Sequence, residues 1–384
     1  MTHRRLKAVR AVPGGVQPSD DAPVRGYTAR CIGGPVDRRR ALGVFAAQAG
    51  LVFGGAAASG QGPAPVRTSA AGTDLVDGRT EAATRRGLDW LAAQQDASGA
   101  FRGERNGRNA GVVALAGLAF LARGDTPGRG RYGAASRGCA DYLLASASPT
   151  GFLSVRAASL HGPMYEHGFA TMFLAEVYGM TTDRRVRAVL ADAVRLIVTS
   201  QNAEGGWRYQ SRPEDADISV TVCQMMALRA ARNAGVYVPV ETVERCVGYV
   251  RRSQNPDGGF MYLPTGGPSE FPRSAAGLAA LYSAGIYDGP EVDRALEYLR
   301  AFRGRPDRPG AEQYFLYGHY YAVQVFWTAG GDAWPWWYAA IRDHLLDRVL
   351  ADGSWSDPVG RIYGTAMALI ILQMPKNYLP IFQR

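Results

Sequence analysis

Five times along this chain a helix-like stretch runs into a glycine, a spacer and an aromatic residue, at nearly constant spacing. The clearest copies are Gln95-x3-Gly99-x-Phe101, Gln201-x3-Gly205-x-Trp207 and Gln254-x3-Gly258-x-Phe260. Two worn copies are Gly151-Phe152, with Ser146 in place of the glutamine, and Gly353-x-Trp355, with Val349 there. Phe101, Phe152, Trp207 and Phe260 stand 51, 55 and 53 residues apart. The 95 residues from Phe260 to Trp355 make two periods, with one copy worn away near residues 300–305. A fixed period of this size means one supersecondary unit used repeatedly. Six units are implied.

Each unit reads as a helix, a glycine-containing corner and a second helix. The upstream helices are amphipathic at the 3.6-residue period, over 84–95, 135–147, 184–201, 241–254, 291–302 and 336–349. The downstream helices are apolar on nearly every side, over 107–122, 167–178, 217–231, 271–284, 317–329 and 363–373. A helix apolar all round is buried, whereas one with a single apolar stripe is half exposed. Six of each in alternation predict an all-α (α/α)6 toroid with six inner and six outer helices. At each corner the glycine supplies a left-handed turn and the glutamine amide satisfies backbone groups left over at helix ends. The aromatic covers the corner. These residues are read as structural, not chemical.

The repeat resembles the QW motif of terpenoid cyclases, also described as prenyltransferase and squalene oxidase repeats. The alternating rings resemble the toroid those enzymes share with protein prenyltransferase β subunits. The resemblance spans about residues 80–375. It implies a fold and an apolar central funnel more than an activity, because one fold hosts many functions. The chain holds one toroid where triterpene cyclases carry two, so in size it is closer to the prenyltransferase subunit.

With 47% hydrophobic residues, the 384-residue chain can bury one large core. Of the net charge of +9, six units fall in residues 1–58, so the repeat region gives little support to a nucleic-acid partner. Arg38-Arg39-Arg40 precedes an apolar Gly/Ala-rich run ending at Ala56-Ala57-Ala58, the pattern of an export signal with a small-residue cleavage site. Arg38-Arg39-x-Ala41-Leu42 resembles the twin-arginine signal of bacteria, with alanine where that motif prefers phenylalanine. The predicted organisation is a signal over 1–58, a flexible linker over 59–80 and one toroid domain over 81–384. It implies an exported, periplasmic or otherwise extracytoplasmic protein. Cys31, Cys139, Cys223 and Cys246 form no C-x-x-C pair and suggest neither a disulfide framework nor a zinc knuckle.

Catalytic groups of a toroid gather where inner helices begin. The first turns offer Arg108 and Asn109, Glu166 and His167, Asp215 and Asp217, Glu270 and Arg273, Tyr317, His319 and Tyr320, and Arg361 with Tyr363. Their convergence into one polar ring is the predicted site. Asp215-Ala216-Asp217-Ile218 resembles the D-x-D-D box of proton-initiated terpenoid cyclases. The resemblance makes Asp217 the acid that protonates an alkene or epoxide, with Asp215 matching and Ile218 replacing the last aspartate. The alternative is that Asp217 caps the helix beginning at Ile218. His167, His319 and Tyr320 complete the candidate catalytic set. No cofactor is expected. Zinc, which prenyltransferases bind through Asp, Cys and His, would have only Asp217, His167 and His319 available, without a D-x-C motif at a helix start. Phe169, Phe173, Tyr178, Tyr320, Tyr321, Phe326 and Trp327 either line the funnel, where aromatic faces stabilise carbocations, or simply pack it. Trp334, Trp336 and Trp337 form an aromatic rim that either caps the wheel or docks a protein or membrane surface.

Three functions follow from these residues. The first is a terpenoid-cyclase or prenyltransferase-like enzyme with an incomplete acid box, acting on or binding an isoprenoid-like apolar molecule. The second is a non-catalytic ligand- or protein-binding toroid. The third is a carbohydrate-active (α/α)6 enzyme, which would need two carboxylates across a cleft from Glu166, Asp217 and Glu270.

Overall fold

The computed structural model describes residues 74–155, 162–302 and 314–383. The export pattern of residues 1–58 and most of the linker lie outside the described residues, as does most of the worn repeat after Phe302. Among the described residues, twelve α-helices alternate between two layers. The outer ones are α1 (Gly78–Gln94), α3 (Gly133–Ser146), α5 (Arg184–Thr199), α7 (Val240–Arg252), α9 (Pro290–Arg300) and α11 (Ala333–Asp347). The inner ones are α2 (Ala110–Leu121), α4 (Pro163–Tyr178), α6 (Ile218–Asn233), α8 (Phe271–Ala284), α10 (Phe315–Ala329) and α12 (Arg361–Gln373). Each inner helix packs on the next, and α12 packs back on α2, which closes the ring. Among the described residues there is no β-strand, and isolated bridges such as Gln95 with Phe101 occur only at corners and tight turns. No described helix is long and apolar enough to cross a membrane.

The two layers follow from two residue patterns. In α5 only Val186, Leu190, Ala193, Val194 and Ile197 are buried, a single stripe at helical spacing, and Asp183 caps its start through the amide of Arg185. In α2 every residue from Ala110 to Leu121 is buried. Burying whole helices places the core in the inner ring itself, with the outer helices as a shell.

The corners repeat in atomic detail. Gly99, Gly205 and Gly258 have φ of 89°, 96° and 86°. A Cβ there would lie 2.0, 2.1 and 2.3 Å from the backbone carbonyl oxygens of Gly138, Arg245 and Arg294 on the following outer helix. Only glycine permits both the left-handed turn and that approach. The amide nitrogens of Gln95, Gln201 and Gln254 each donate to the glycine carbonyl of their own copy and to a carbonyl near the start of the following outer helix (Ala135, Thr242 and Glu291). Phe101, Trp207, Phe260 and Trp355 are buried over these corners, while Phe152 is half-buried. Gly353 presses on Arg86 of α1, so the last corner seats on the first helix.

Several helix starts differ from the sequence reading. The inner helix expected from residue 107 begins at Ala110 and is capped by Asn109, whose Oδ1 accepts from the amides of Gly111 and Val112. Helix α4 begins at Pro163 and α10 at Phe315, earlier than His167 and Tyr317. Proline is favoured at the first helical position, and that signal carries more weight than the polar pair Glu166-His167. The aromatic rim is divided, with Trp336 half-buried. Trp334 and Trp337 are buried, Trp334 against Trp327 and Tyr338, and Trp337 stacked on Phe326 at 4.2 Å. They offer no surface to a partner.

The axis of the ring is filled at mid-height. Tyr320 of α10 meets Phe169 of α4, the inner helix opposite, edge to face at 6.0 Å, and its hydroxyl lies 4.0 Å from the sulfur of Met172.

Candidate functional site

The corner that carries Trp207 delivers the site. Residues 207–217 leave the corner and return, and the amide of Asp217 donates to the carbonyl of Trp207. Asp217 thereby stands just before α6, with no exposed surface. Its Oδ1 accepts from the amide of Val220 at 2.9 Å, as a helix cap does. Its Oδ2 is buried with no hydrogen-bond partner. Burial pushes this carboxyl up to about 6, against the opposing pull of the Val220 amide, the Arg208 charge, the Tyr262 hydroxyl and the Ser219 amide. Asp217 caps α6 through one oxygen and keeps the other buried without a hydrogen bond.

Arg208 sets the electrostatics beside it. Its Nη1 pairs with Oδ2 of exposed Asp215 at 3.1 Å, while its Nε remains 3.7 Å from Oδ2 of Asp217. The guanidinium lies over the rings of Tyr209 and Tyr262, at 5.3 and 5.7 Å from their centres. Their hydroxyls share a 2.6 Å hydrogen bond, and the carbonyl of Tyr262 accepts from the amide of Ile218. Two aromatic faces and one carboxylate therefore hold the cation in place.

Three tyrosines stand at the starts of other inner helices, and one of them, Tyr165, reaches this corner with its ring 6.3 Å from that of Tyr209. Tyr165, Tyr317 and Tyr363 each occupy the third position of their helix, in α4, α10 and α12, and each is half-buried. Burial raises all three hydroxyls above their ordinary range, and the Asp217 charge adds to the effect on Tyr165 and Tyr317. Tyr321 packs edge-on to Tyr317 at 5.0 Å, one turn deeper. The hydroxyls of Tyr317 and Tyr321 have no hydrogen-bond partner. Tyrosine rings and one buried carboxyl thus stand at the starts of the inner helices.

The structure brings Asp215 and Asp217 together through Arg208 and does not bring the histidines to them. His167 accepts the amide of Leu153 at Nδ1 and donates from Nε2 to the carbonyl of Ala193 on outer helix α5, both at 3.1 Å. Burial lowers it to about 4, so it is neutral and committed. His319 sits among Phe271, Phe315 and Trp337 and is lowered to about 3 by burial, with the charge of His344 adding to it. Both lie in the second turn, on the side of the helix that packs against an outer helix, α5 for His167 and α11 for His319. Tyr320 lies deep on the axis, fully buried. No group of three or more His, Cys, Asp or Glu that could hold a metal occurs among the described residues, so the zinc set weighed from sequence does not assemble.

Sequence reasoning missed Tyr165, Arg208, Tyr209 and Tyr262. A signal for two of them was present, since Trp207-x-Tyr209 and Phe260-x-Tyr262 place a tyrosine two residues past successive corner aromatics.

No protein-family model matches the sequence. A drimenyl diphosphate synthase of Streptantibioticus cattleyicolor is 32% identical over 120 residues, 31% of this chain and 21% of that protein. The match thus spans about a fifth of that relative's length. A variant of the type II terpene cyclase MstE from Scytonema, in complex with merosterolic acid A, superposes with a TM-score of 0.56 at 15% identity, over 78% of this chain and 98% of that one. A second MstE variant, in complex with the substrate geranylgeranyl dihydroxybenzoate, gives 0.56 at 14% identity over the same shares. An inactive α-1,6-mannanase variant of Salegentibacter, in complex with α-1,6-mannotriose, gives 0.58 at 9% identity, over 78% and 99%. These likenesses are of fold: the chain is a terpenoid cyclase-like α/α toroid.

Proposed function

We propose that this protein is a proton-initiated, type II cyclase-like enzyme that acts on an apolar isoprenoid chain at the tyrosine-lined mouth. The observation that carries this reading is the buried Oδ2 of Asp217, which has no hydrogen bond and only the Arg208 guanidinium at 3.7 Å beside it, while Oδ1 serves the helix. A carboxyl held near 6 keeps a usable protonated fraction at neutral pH. In the proposed step the Oδ2–H bond breaks and a C–H bond forms at one end of an alkene. The cation left at the other end is attacked by a second alkene of the same chain. The faces of Tyr165, Tyr317 and Tyr363 are suited to stabilise that positive charge. Loss of a proton to solvent returns a neutral product.

Asp217→Asn tests this. Asparagine is a competent cap but no acid, so turnover of isoprenoid alcohols, diphosphates or prenylated phenols should fall by about a thousandfold. Cyclisation surviving in Asp217→Asn, measured by mass spectrometry of products, would remove the acid assignment.

A non-catalytic binding toroid is the second reading. The cap bond from Oδ1 and the apolar Ile218 next to the acid favour it, and binding of an isoprenoid without conversion by the wild-type chain would establish it. The carbohydrate reading has less support. Glu166 already receives the Ser154 hydroxyl and Val155 amide, and Glu270 pairs with Arg273 at 2.9 Å. Export belongs to the same proposal, and N-terminal sequencing of protein from its native compartment should find a start near Ser59.

A further inference from the structure

The end of the ring away from Asp217 is closed by the chain itself. After α12 come two short 3₁₀ turns, Met374–Lys376 and Pro380–Phe382, joined through Asn377 in left-handed backbone. The second turn enters the ring among the last turns of the inner helices. Leu379, Ile381 and Phe382 are 2%, 6% and 6% exposed, whereas Tyr378 beside them is 55% exposed. Phe382 stands edge-on to Tyr320 at 6.2 Å. The Ile381 amide donates to Oε1 of Glu176, and Nη2 of Arg229 donates to the Gln383 carbonyl, both at 3.1 Å.

Two features set this segment apart from ordinary core. Its anchors are only partly used, because Oε2 of Glu176 and Nε of Arg229 are buried without hydrogen-bond partners. Glu176 is 5% exposed, and a buried polar group left unpaired calls for an explanation. The packing is also incomplete. A cleft of about 20 Å³, the volume of a single water-sized sphere, borders the segment between Arg229, Tyr287 and Gln324 on one side and Ile381 and Phe382 on the other. Short 3₁₀ turns have poor internal hydrogen bonds, so these two anchors and the apolar side chains carry most of the hold.

We propose that the rear half of the ring interior is a binding site for an apolar chain with one uncharged polar head, such as an alcohol. Residues 379–383 are the stopper that this ligand displaces. The chain takes the place of Ile381 and Phe382 against Tyr320. Its head engages Oε2 of Glu176 and Nε of Arg229. The inference rests on packing at the rear of the ring and is independent of the acid at the mouth.

Geraniol titrated by calorimetry into the full chain and two variants tests it. Asn377→Pro, which cannot hold the left-handed backbone at residue 377, frees the stopper without hollowing the site or removing a head contact, and Ile381→Ala with Phe382→Ala does both. The expected result is geraniol binding at least about tenfold tighter in both variants than in wild type. Geraniol should also accelerate deuterium exchange of residues 379–383 in the wild-type chain. Binding in the double variant alone would overturn the proposal, since any emptied core takes up apolar molecules. Binding in neither variant would overturn it as well. If the double variant does not fold, unchanged exchange of residues 379–383 at the solubility limit of geraniol would overturn the proposal equally. Asp217→Asn should leave this binding unaltered, which separates failure here from failure of the acid.

Discussion

The guanidinium of Arg208 stops 3.7 Å short of Oδ2 of Asp217 because Asp215 holds it at 3.1 Å on its other side. That arrangement keeps a cation near the buried acid without a full ion pair. A close pair would favour the carboxylate and remove the proton on which the proposed reaction depends.

Asp215→Asn should therefore let Arg208 settle on Asp217. The basic limb of the pH–rate profile is expected to move down by about one unit, with roughly tenfold less activity at neutral pH. Because Asp215 is exposed, the melting temperature should barely change. A profile that stays in place would show that Asp215 does not control the acid.

The raised carboxyl of Asp217 also predicts a trade between stability and activity. Its folded value, about 6, lies above the ordinary value of 3.8, so its contribution to stability is intact below 3.8 and is lost as pH rises through 6. Asp217→Asn keeps the cap and carries no charge. It should melt above wild type at pH 7 and level with it at pH 4, as followed by circular dichroism.

The histidines predict the opposite limb. His167 and His319 are lowered by burial from 6.5 to about 4 and about 3. Their stabilising effect is present above 6.5 and is lost as pH falls through those lower values. Acid unfolding should therefore steepen below pH 5. Replacing His167 with glutamine, which can still donate toward Ala193, should remove part of that slope in denaturant titrations.

At the corners, Gly205→Ala is expected to destabilise by more than about 3 kcal/mol, because a left-handed alanine would also run into the Arg245 carbonyl. Gly103→Ala is the control, since its φ of 82° is similar but its Cβ would meet nothing within 4 Å. It should lose only about 1 to 2 kcal/mol. Gln201→Ala should lose about 2 to 4 kcal/mol by leaving the Gly205 and Thr242 carbonyls unpaired.

The fold was legible because its cause is local and repeated. Gly99, Gly205 and Gly258 mark the same turn, and the contrast between the single stripe of α5 and the wholly apolar α2 separates the rings. The site was only half legible. Asp217 could be found from its neighbours in sequence, and the structure shows the cap bond at Oδ1 while Oδ2 stays buried without a hydrogen bond. His167 and His319 were misplaced because position near a helix start does not tell which side of the helix a residue takes, and both lie on the side packed against the outer shell. Arg208, Tyr209 and Tyr262 matter through contacts that form only when separate corners meet, and a linear pattern does not display such contacts.

The seating of Gly353 on Arg86 has a kinetic consequence. Residues more than 260 positions apart must meet before the ring is complete, as they do where Arg86 also donates to the Ala351 carbonyl. An open row of repeats can grow from any point and fray at its ends, whereas a closed one gains its last interface only when both ends are already formed. Closure should therefore be the slow step of refolding. A permuted chain, cut at another corner and joined across the present seam, should reach the same wheel more quickly.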